Sequence, residues 1–161
     1  MTEENPGKNK FITPADALKR AYKYCAYQER SQQEVRDKLY SLGLHKKDVE
    51  QTISLLITER FLNEERFAIA YAGGKFRIKQ WGKVKIRHAL RLKNVSDYCI
   101  RTALSQISDH DYEQALRSLI EACSKKIKEK DSWKKNYRIA QYVVSRGFES
   151  DVVWEILQHK D

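Results

Sequence analysis

Apolar residues recur along this chain at spacings of three and four, the pattern of helices that bury one face and leave the other in water. The clearest case begins at Ser31-Gln32-Gln33-Glu34, a capping box in sequence terms. There the serine hydroxyl serves an amide of the first turn and the glutamate reaches back to the serine amide. Val35, Leu39 and Leu42 follow as an apolar stripe, and Gly43 stands where a left-handed residue closes a helix. An earlier helix start is marked by Thr13 as N-cap, Pro14 at the first helical position and Asp16 near the positive helix end. Asn63, Ser108 or Asp109, and Asp131 or Ser132 are further candidate caps.

The pattern then repeats. With Gly43, Asn94 and Gly147 taken as equivalent turn points, apolar residues stand eight and four positions before each: Val35 and Leu39, Ile86 and Leu90, Ile139 and Val143. One, six and ten positions after lie Leu44, Val49 and Ile53; Val95, Ile100 and Leu104; Phe148, Val153 and Leu157. Asn follows Gly in tolerance of the left-handed conformation, so Asn94 fits the series. A helix, a turn and a second helix are thus used three times, each pair preceded by a further helix near 14–28, 64–78 and 110–130. The expected fold is all-α, with three tandem three-helix repeats over 13–60, 61–108 and 109–161 after a disordered leader over 1–12. One triplet alone buries its apolar face poorly, so the repeats are expected to stack into an elongated, curved array. Two prolines and six glycines in 161 residues agree with helices throughout.

Charge changes this picture by singling out one repeat. The chain carries 31 basic and 22 acidic side chains, a net charge of +9. Residues 1–65 and 97–161 each hold 11 of either sign, whereas 66–96 hold nine basic residues and no acid. The block comprises Arg66, Lys75, Arg77, Lys79, Lys83, Lys85, Arg87, Arg91 and Lys93. Lys83, Arg87 and Arg91 recur every fourth residue on one helix face, opposite Ile86, Ala89 and Leu90, although like charges at that spacing repel. Such a face points to phosphate or an acidic protein; the competing reading is a solvated surface.

Tyr71, Phe76 and Trp81 are interleaved with the block. Phe76 and Trp81 are expected to pack between helices; of the three, Trp81, just before Gly82 at a helix entry, is the best candidate to stack on an unpaired base instead. A second basic cluster, Lys125, Lys126, Lys128, Lys130, Lys134, Lys135 and Arg138, either extends this surface or is a solvated helix end.

Catalytic chemistry finds no support. Around Gly74-Lys75 a phosphate loop would need Gly at Ile69 and Ser or Thr at Phe76. His45, His88, His110 and His159 do not pair at helical spacing, and no Cys-x-x-Cys exists, so no metal site and no cofactor are expected. Cys25, Cys99 and Cys123 read as small core residues of a reducing compartment. Asp109 and Asp111 suit a helix start. The helix pairs resemble helix-turn-helix in outline, but Asp48, Glu50, Glu59 and Asp97 on the second helices would repel a DNA groove. No 18-residue apolar run and no apolar core between Met1 and Ile12 suggest a membrane span or secretion signal, so a cytoplasmic protein is expected.

Four segments resemble the RecX family. They are Arg30-Ser31-x-x-Glu34-Val35-x-x-Lys38-Leu39-x-x-x-Gly43; Phe61-Leu62-Asn63-Glu64-Glu65-Arg66-Phe67-Ala68; Arg77-x-x-x-x-Gly82-x-x-x-Ile86-x-x-x-Leu90-x-x-Lys93; and Tyr142-Val143-x-x-Arg146-Gly147-Phe148-x-x-Asp151-Val152-Val153. The likeness spans about 14–158 in order, departing at Asn94-Val95, where Gly-Ile is usual, and at Asn63, where Asp is common. It implies a non-enzymatic regulator that binds the RecA filament and modulates, mostly inhibits, its ATPase, strand exchange and coprotease activity. An extended curved module would suit the groove of a helical filament. The expected contacts are Arg66, Lys75, Arg77, Lys79, Trp81, Lys83, Arg87 and Arg91, with single-stranded DNA as a further partner of the basic repeat. Gly43, Gly82, Asn94 and Gly147 would serve as structural turns in a chain expected to be monomeric. The alternative is a nucleic-acid-binding helical module that acts on single- or double-stranded DNA or on RNA without RecA.

Overall fold

The computed structural model of the chain describes residues 12–159, so the leader expected over 1–12 lies, but for Ile12, outside the described residues. Among these residues there are nine α-helices and no strand. They are α1 (Pro14–Tyr27), α2 (Gln32–Ser41), α3 (Lys46–Thr58), α4 (Glu64–Arg77), α5 (Lys83–Leu92), α6 (Asp97–Ser105), α7 (Asp109–Lys126), α8 (Ser132–Ser145) and α9 (Ser150–Gln158).

Local signals start most of them. The Thr13 hydroxyl accepts from the Asp16 amide at 3.2 Å, with Pro14 opening α1. At α2 the capping box is complete: the Glu34 amide donates to Ser31 Oγ at 3.0 Å, and the Ser31 amide donates to Glu34 Oε2 at 3.3 Å. Of the paired candidates, Ser108 caps α7 and Asp131 caps α8, and Ser96 caps α6. Each such cap satisfies an amide the helix itself leaves unpaired, typically worth about 1 kcal/mol.

Gly43, Asn94 and Gly147 adopt φ of 91°, 58° and 100°, so all three turns are left-handed. All fifteen apolar positions flanking them are buried. A buried Leu, Ile, Val or Phe contributes about 1.5–3 kcal/mol from the area removed from water, so this one pattern supplies much of the driving force for folding.

Two compact units organise the helices, one ending at Glu64 and the other beginning at Glu65. In the first, α1, α2 and α3 pack on one another around Ala17, Ala21, Val35, Leu39, Val49, Ile53 and Leu56. In the second, one continuous core joins the middle and last triplets, from Phe67 through Ile86, Leu90 and Ile100 to Leu116, Ile139, Val143 and Phe148.

The start of α5 carries no side-chain cap of its own. Its amides are met by the last triplet instead. The Gly82 amide donates to the Arg146 carbonyl at 2.8 Å, and the Val84 amide to the Gly147 carbonyl at 2.9 Å. The Lys83 amide donates to the Tyr112 hydroxyl at 3.0 Å. This brings backbone against backbone: a Cβ added to Gly82 would lie 2.3 Å from the Gly147 carbonyl carbon and oxygen. A Cβ on Gly147 would lie 2.3 Å from Lys85 Cβ. Gly82 itself has φ of −79°. Gly82 is thus the N-cap at the entry of α5, and it is glycine for space, not for handedness.

Gly43 provides the contrast, since a Cβ there meets nothing within 4 Å. Gly43→Ala should cost about 1 kcal/mol, the strain of a left-handed non-glycine residue. Gly82→Ala should cost about 3 kcal/mol, because packed backbone must separate. Urea unfolding of the two variants measures the difference; equal costs would show that the junction yields easily.

Candidate anion-binding surface

Helices α4 and α5 carry the basic block. Lys75 and Arg77 fall in the last turn of α4, where cations complement the helix dipole. Lys83 and Lys85 occupy the first turn of α5, which contains no acid. Cations there oppose the dipole, an arrangement that lowers stability and favours an incoming anion.

The packing of α5 sorts the block into two sides. On one side, ammonium groups and rings alternate. Lys93 Nζ lies 5.7 Å from the Tyr71 ring, and Lys75 Nζ lies 5.4 Å from Tyr71 and 4.9 Å from Trp81. Lys85 Nζ lies 4.6 Å from Trp81. Two rings thus hold three ammonium groups, each contact worth about 0.5–1 kcal/mol at an exposed site. Tyr71, Phe76 and Trp81 are partly buried and pack against the core. With two lysines over its ring and its body packed against the core, Trp81 is a support for cations, in keeping with the reading that Phe76 and Trp81 pack between helices.

On the other side stand Lys83, Arg87 and Arg91. Lys83 Nζ lies 4.7 Å from the Tyr112 ring, and Arg91 Nε lies 3.6 Å from Asp97 Oδ1. Lys83 also borders a groove of about 580 Å³ lined by Asp109, Glu113, Glu149, Asp151 and Glu155 of α7, α9 and the turn before α9. This row is therefore interrupted by acids that the flat helical pattern does not show.

The remaining expected contacts are scattered around these two sides. Arg66 is exposed on the first turn of α4. The Arg77 guanidinium folds back over Gly73, where an added Cβ would meet Nη1 at 2.8 Å. Lys79 is exposed, and its carbonyl accepts from the Arg146 guanidinium.

Tyr112 is the residue sequence reasoning missed. Its ring packs between Phe76 and Phe148, at centroid distances of 5.9 and 5.2 Å. Its hydroxyl accepts from the Lys83 amide and donates to Glu149 Oε2 at 2.7 Å. Burial pushes the phenol well above its ordinary range, and the Glu149 carboxylate adds to this, while the Lys83 amide acts in the opposite sense. The hydroxyl therefore stays protonated and keeps its donor role at any working pH. Its partners lie 29 and 37 residues away, so no local signal marks it.

No group of three potential metal ligands occurs among the described residues, and Cys25, Cys99 and Cys123 are buried and form no disulfide. Burial raises the Cys123 thiol, against the pull of Lys126, which lowers its reactivity. No helix of the described residues is long and apolar enough to cross a membrane.

Comparison with known proteins places these elements in context. The family models for the first, second and third three-helix domains of RecX match residues 17–56, 63–104 and 111–157. Regulatory protein RecX of Prosthecochloris aestuarii is 30% identical over 142 residues, covering 88% of this chain and 91% of its own. The protein of the same name from Bacillus licheniformis is 31% identical over 144 residues, 89% of this chain, yet only 55% of its own length is matched. The chain thus spans about half the length of the Bacillus relatives it matches. Among solved structures, RecX from Lactobacillus salivarius superposes with a TM-score of 0.79 at 26% identity, covering 89% of this chain and 96% of that one.

Removing the Tyr112 hydroxyl tests the link between α5 and the last triplet. Tyr112→Phe keeps the aromatic packing but leaves the Lys83 amide and the Glu149 carboxylate without their partner. Thermal unfolding should show a loss of about 1–3 kcal/mol; an unchanged midpoint would mean that water replaces the hydroxyl at no cost.

Proposed function

The chain belongs to the RecX family, and from that premise we propose that it is a regulatory protein that binds the RecA filament and modulates, mostly inhibits, its ATPase, strand-exchange and coprotease activities. The observation that carries this reading is the run of three RecX domain matches, in order, across 17–157. A filament assembled on single-stranded DNA carries the DNA's phosphates, and the basic block would face these or acidic protein surface. Lys75, Lys85 and Lys93, already positioned by Tyr71 and Trp81, meet such a partner with less side-chain freedom left to lose. Regulation then needs no chemistry of its own. A protein that binds one filament state more tightly than another shifts the population toward that state, by no more than the difference in affinity. A monomer acting in the cytoplasm, through binding alone, completes the proposal.

A second reading, direct nucleic-acid binding without RecA, draws support from the acid-free block itself. The two separate by salt. Binding to duplex through about five phosphate contacts would give a slope of log affinity on log salt near −4.5, from about −0.9 per contact.

The main reading is tested on RecA's DNA-dependent ATPase. The protein should inhibit it, and Lys75→Glu with Lys85→Glu should raise the half-inhibitory concentration at least tenfold while helical circular dichroism is retained. The Lys83, Arg87 and Arg91 row is tested by Arg87→Glu with Arg91→Glu, where Lys83 is spared because it borders the acidic groove. If a large excess of the wild-type protein leaves ATPase rate and filament length unchanged, the proposal is wrong.

A further inference from the structure

Away from α4 and α5, the outer face of α8 carries an aromatic pair that folding does not require. Trp133 is 66% exposed and Tyr137 46% exposed, one helical turn apart. Their rings are stacked, with centroids 5.7 Å apart and planes within 10°. Most tryptophans lie largely buried, so an ordered ring standing in water on a helix suggests a use beyond packing.

The charges beside the pair indicate what that use is. Lys134 and Arg138 are exposed and repeat at the same four-residue spacing, displaced by one residue, so a cationic row runs along the helix next to the aromatic row. Residues 125–138 hold seven basic and two acidic side chains. Of the acids, Asp131 is engaged in capping α8, and Glu129 meets Arg138 only at 3.9 Å. Beyond Tyr137 the aromatic row continues into a shallow groove lined by Gln141, Val144 and Trp154.

We propose that Trp133 and Tyr137, with Lys134 and Arg138, form a binding site for the unpaired bases of a single-stranded nucleic acid. A base continues the existing ring stack on the open face of Trp133, while the adjacent phosphates reach the cationic row. Bases in a duplex already have their faces covered, so the site selects single strands. An acidic protein segment would satisfy the cations, but only a nucleic-acid strand pairs a flat face with a phosphate at every repeat, as the adjacent aromatic and cationic rows require. The site is on the third triplet, uses none of the α4–α5 residues, and does not depend on the RecA reading.

The test is fluorescence anisotropy of a labelled 20-nucleotide oligo-dT with the full chain, repeated in the Lys75→Glu, Lys85→Glu background so that α4 and α5 do not mask the effect. Trp133→Ala with Tyr137→Ala should weaken binding at least tenfold with the salt slope unchanged, as expected when stacking is lost. Trp133→Phe should retain most of the affinity. Lys134→Glu with Arg138→Glu should flatten the salt slope by about 1.4, from about 0.7 per single-strand contact. Circular dichroism and thermal unfolding confirm that each variant folds. Oligo-dT binding that is absent in the wild type, or unaltered by the double alanine variant, overturns the proposal. So does an equal loss on duplex, or a loss of RecA inhibition with oligo-dT affinity unchanged, which would mark a protein contact instead.

Discussion

Three consecutive amides at the start of α5 are capped by residues more than 25 positions away, and the second unit is organised around that fact. A helix that supplies its own N-cap sets only its own beginning. Here the cap comes from the Arg146 and Gly147 carbonyls and the Tyr112 hydroxyl, so α5 forms fully only where α7 and the α8–α9 turn already stand. Two glycines allow the approach, and burial of Phe148 beside Tyr112 holds it. The direction in which α5 points its cations is therefore set by the last triplet as much as by its own sequence.

Local signals in the sequence proved sufficient for everything the chain decides within a few residues. The caps at Thr13 and Ser31, the left-handed turns and the fifteen buried positions all follow from backbone sterics and from the helical period. What escaped is what depends on pairing between distant helices. Lys83, Lys85, Arg87 and Lys93 look alike in the sequence, yet Lys85 lies over Trp81 in the segment before α5, Lys93 over Tyr71 of α4, and Lys83 over Tyr112 of α7. Gly82 was legible as a helix entry, but the reason it must be glycine, a neighbouring backbone, has no signature in the sequence around it. Trp133 and Tyr137 differ, since their four-residue spacing beside Lys134 and Arg138 was visible and only their exposure was not.

The surface that results keeps its cations in place without neutralising them. Its cations rest on aromatic faces, its thiols are buried, and its tyrosine hydroxyl is locked into a capping role. Rings hold ammonium groups without neutralising them, as carboxylates would, so the positive potential remains available to a partner while side-chain freedom is reduced beforehand.

The α8–α9 turn does two things at once: it reverses the chain, and it receives the start of α5. The turn at Asn94 also reverses the chain, but it bears a side chain at the position that in the last triplet must be bare. The triplets are therefore not interchangeable modules. A second copy of the middle triplet placed where the last one stands would present Asn in place of Gly147, and its Cβ would collide with the helix it should receive. Although the repeats share one apolar pattern, their order is written into a single missing methyl group, and an array of this kind cannot lengthen by simple duplication of its middle member.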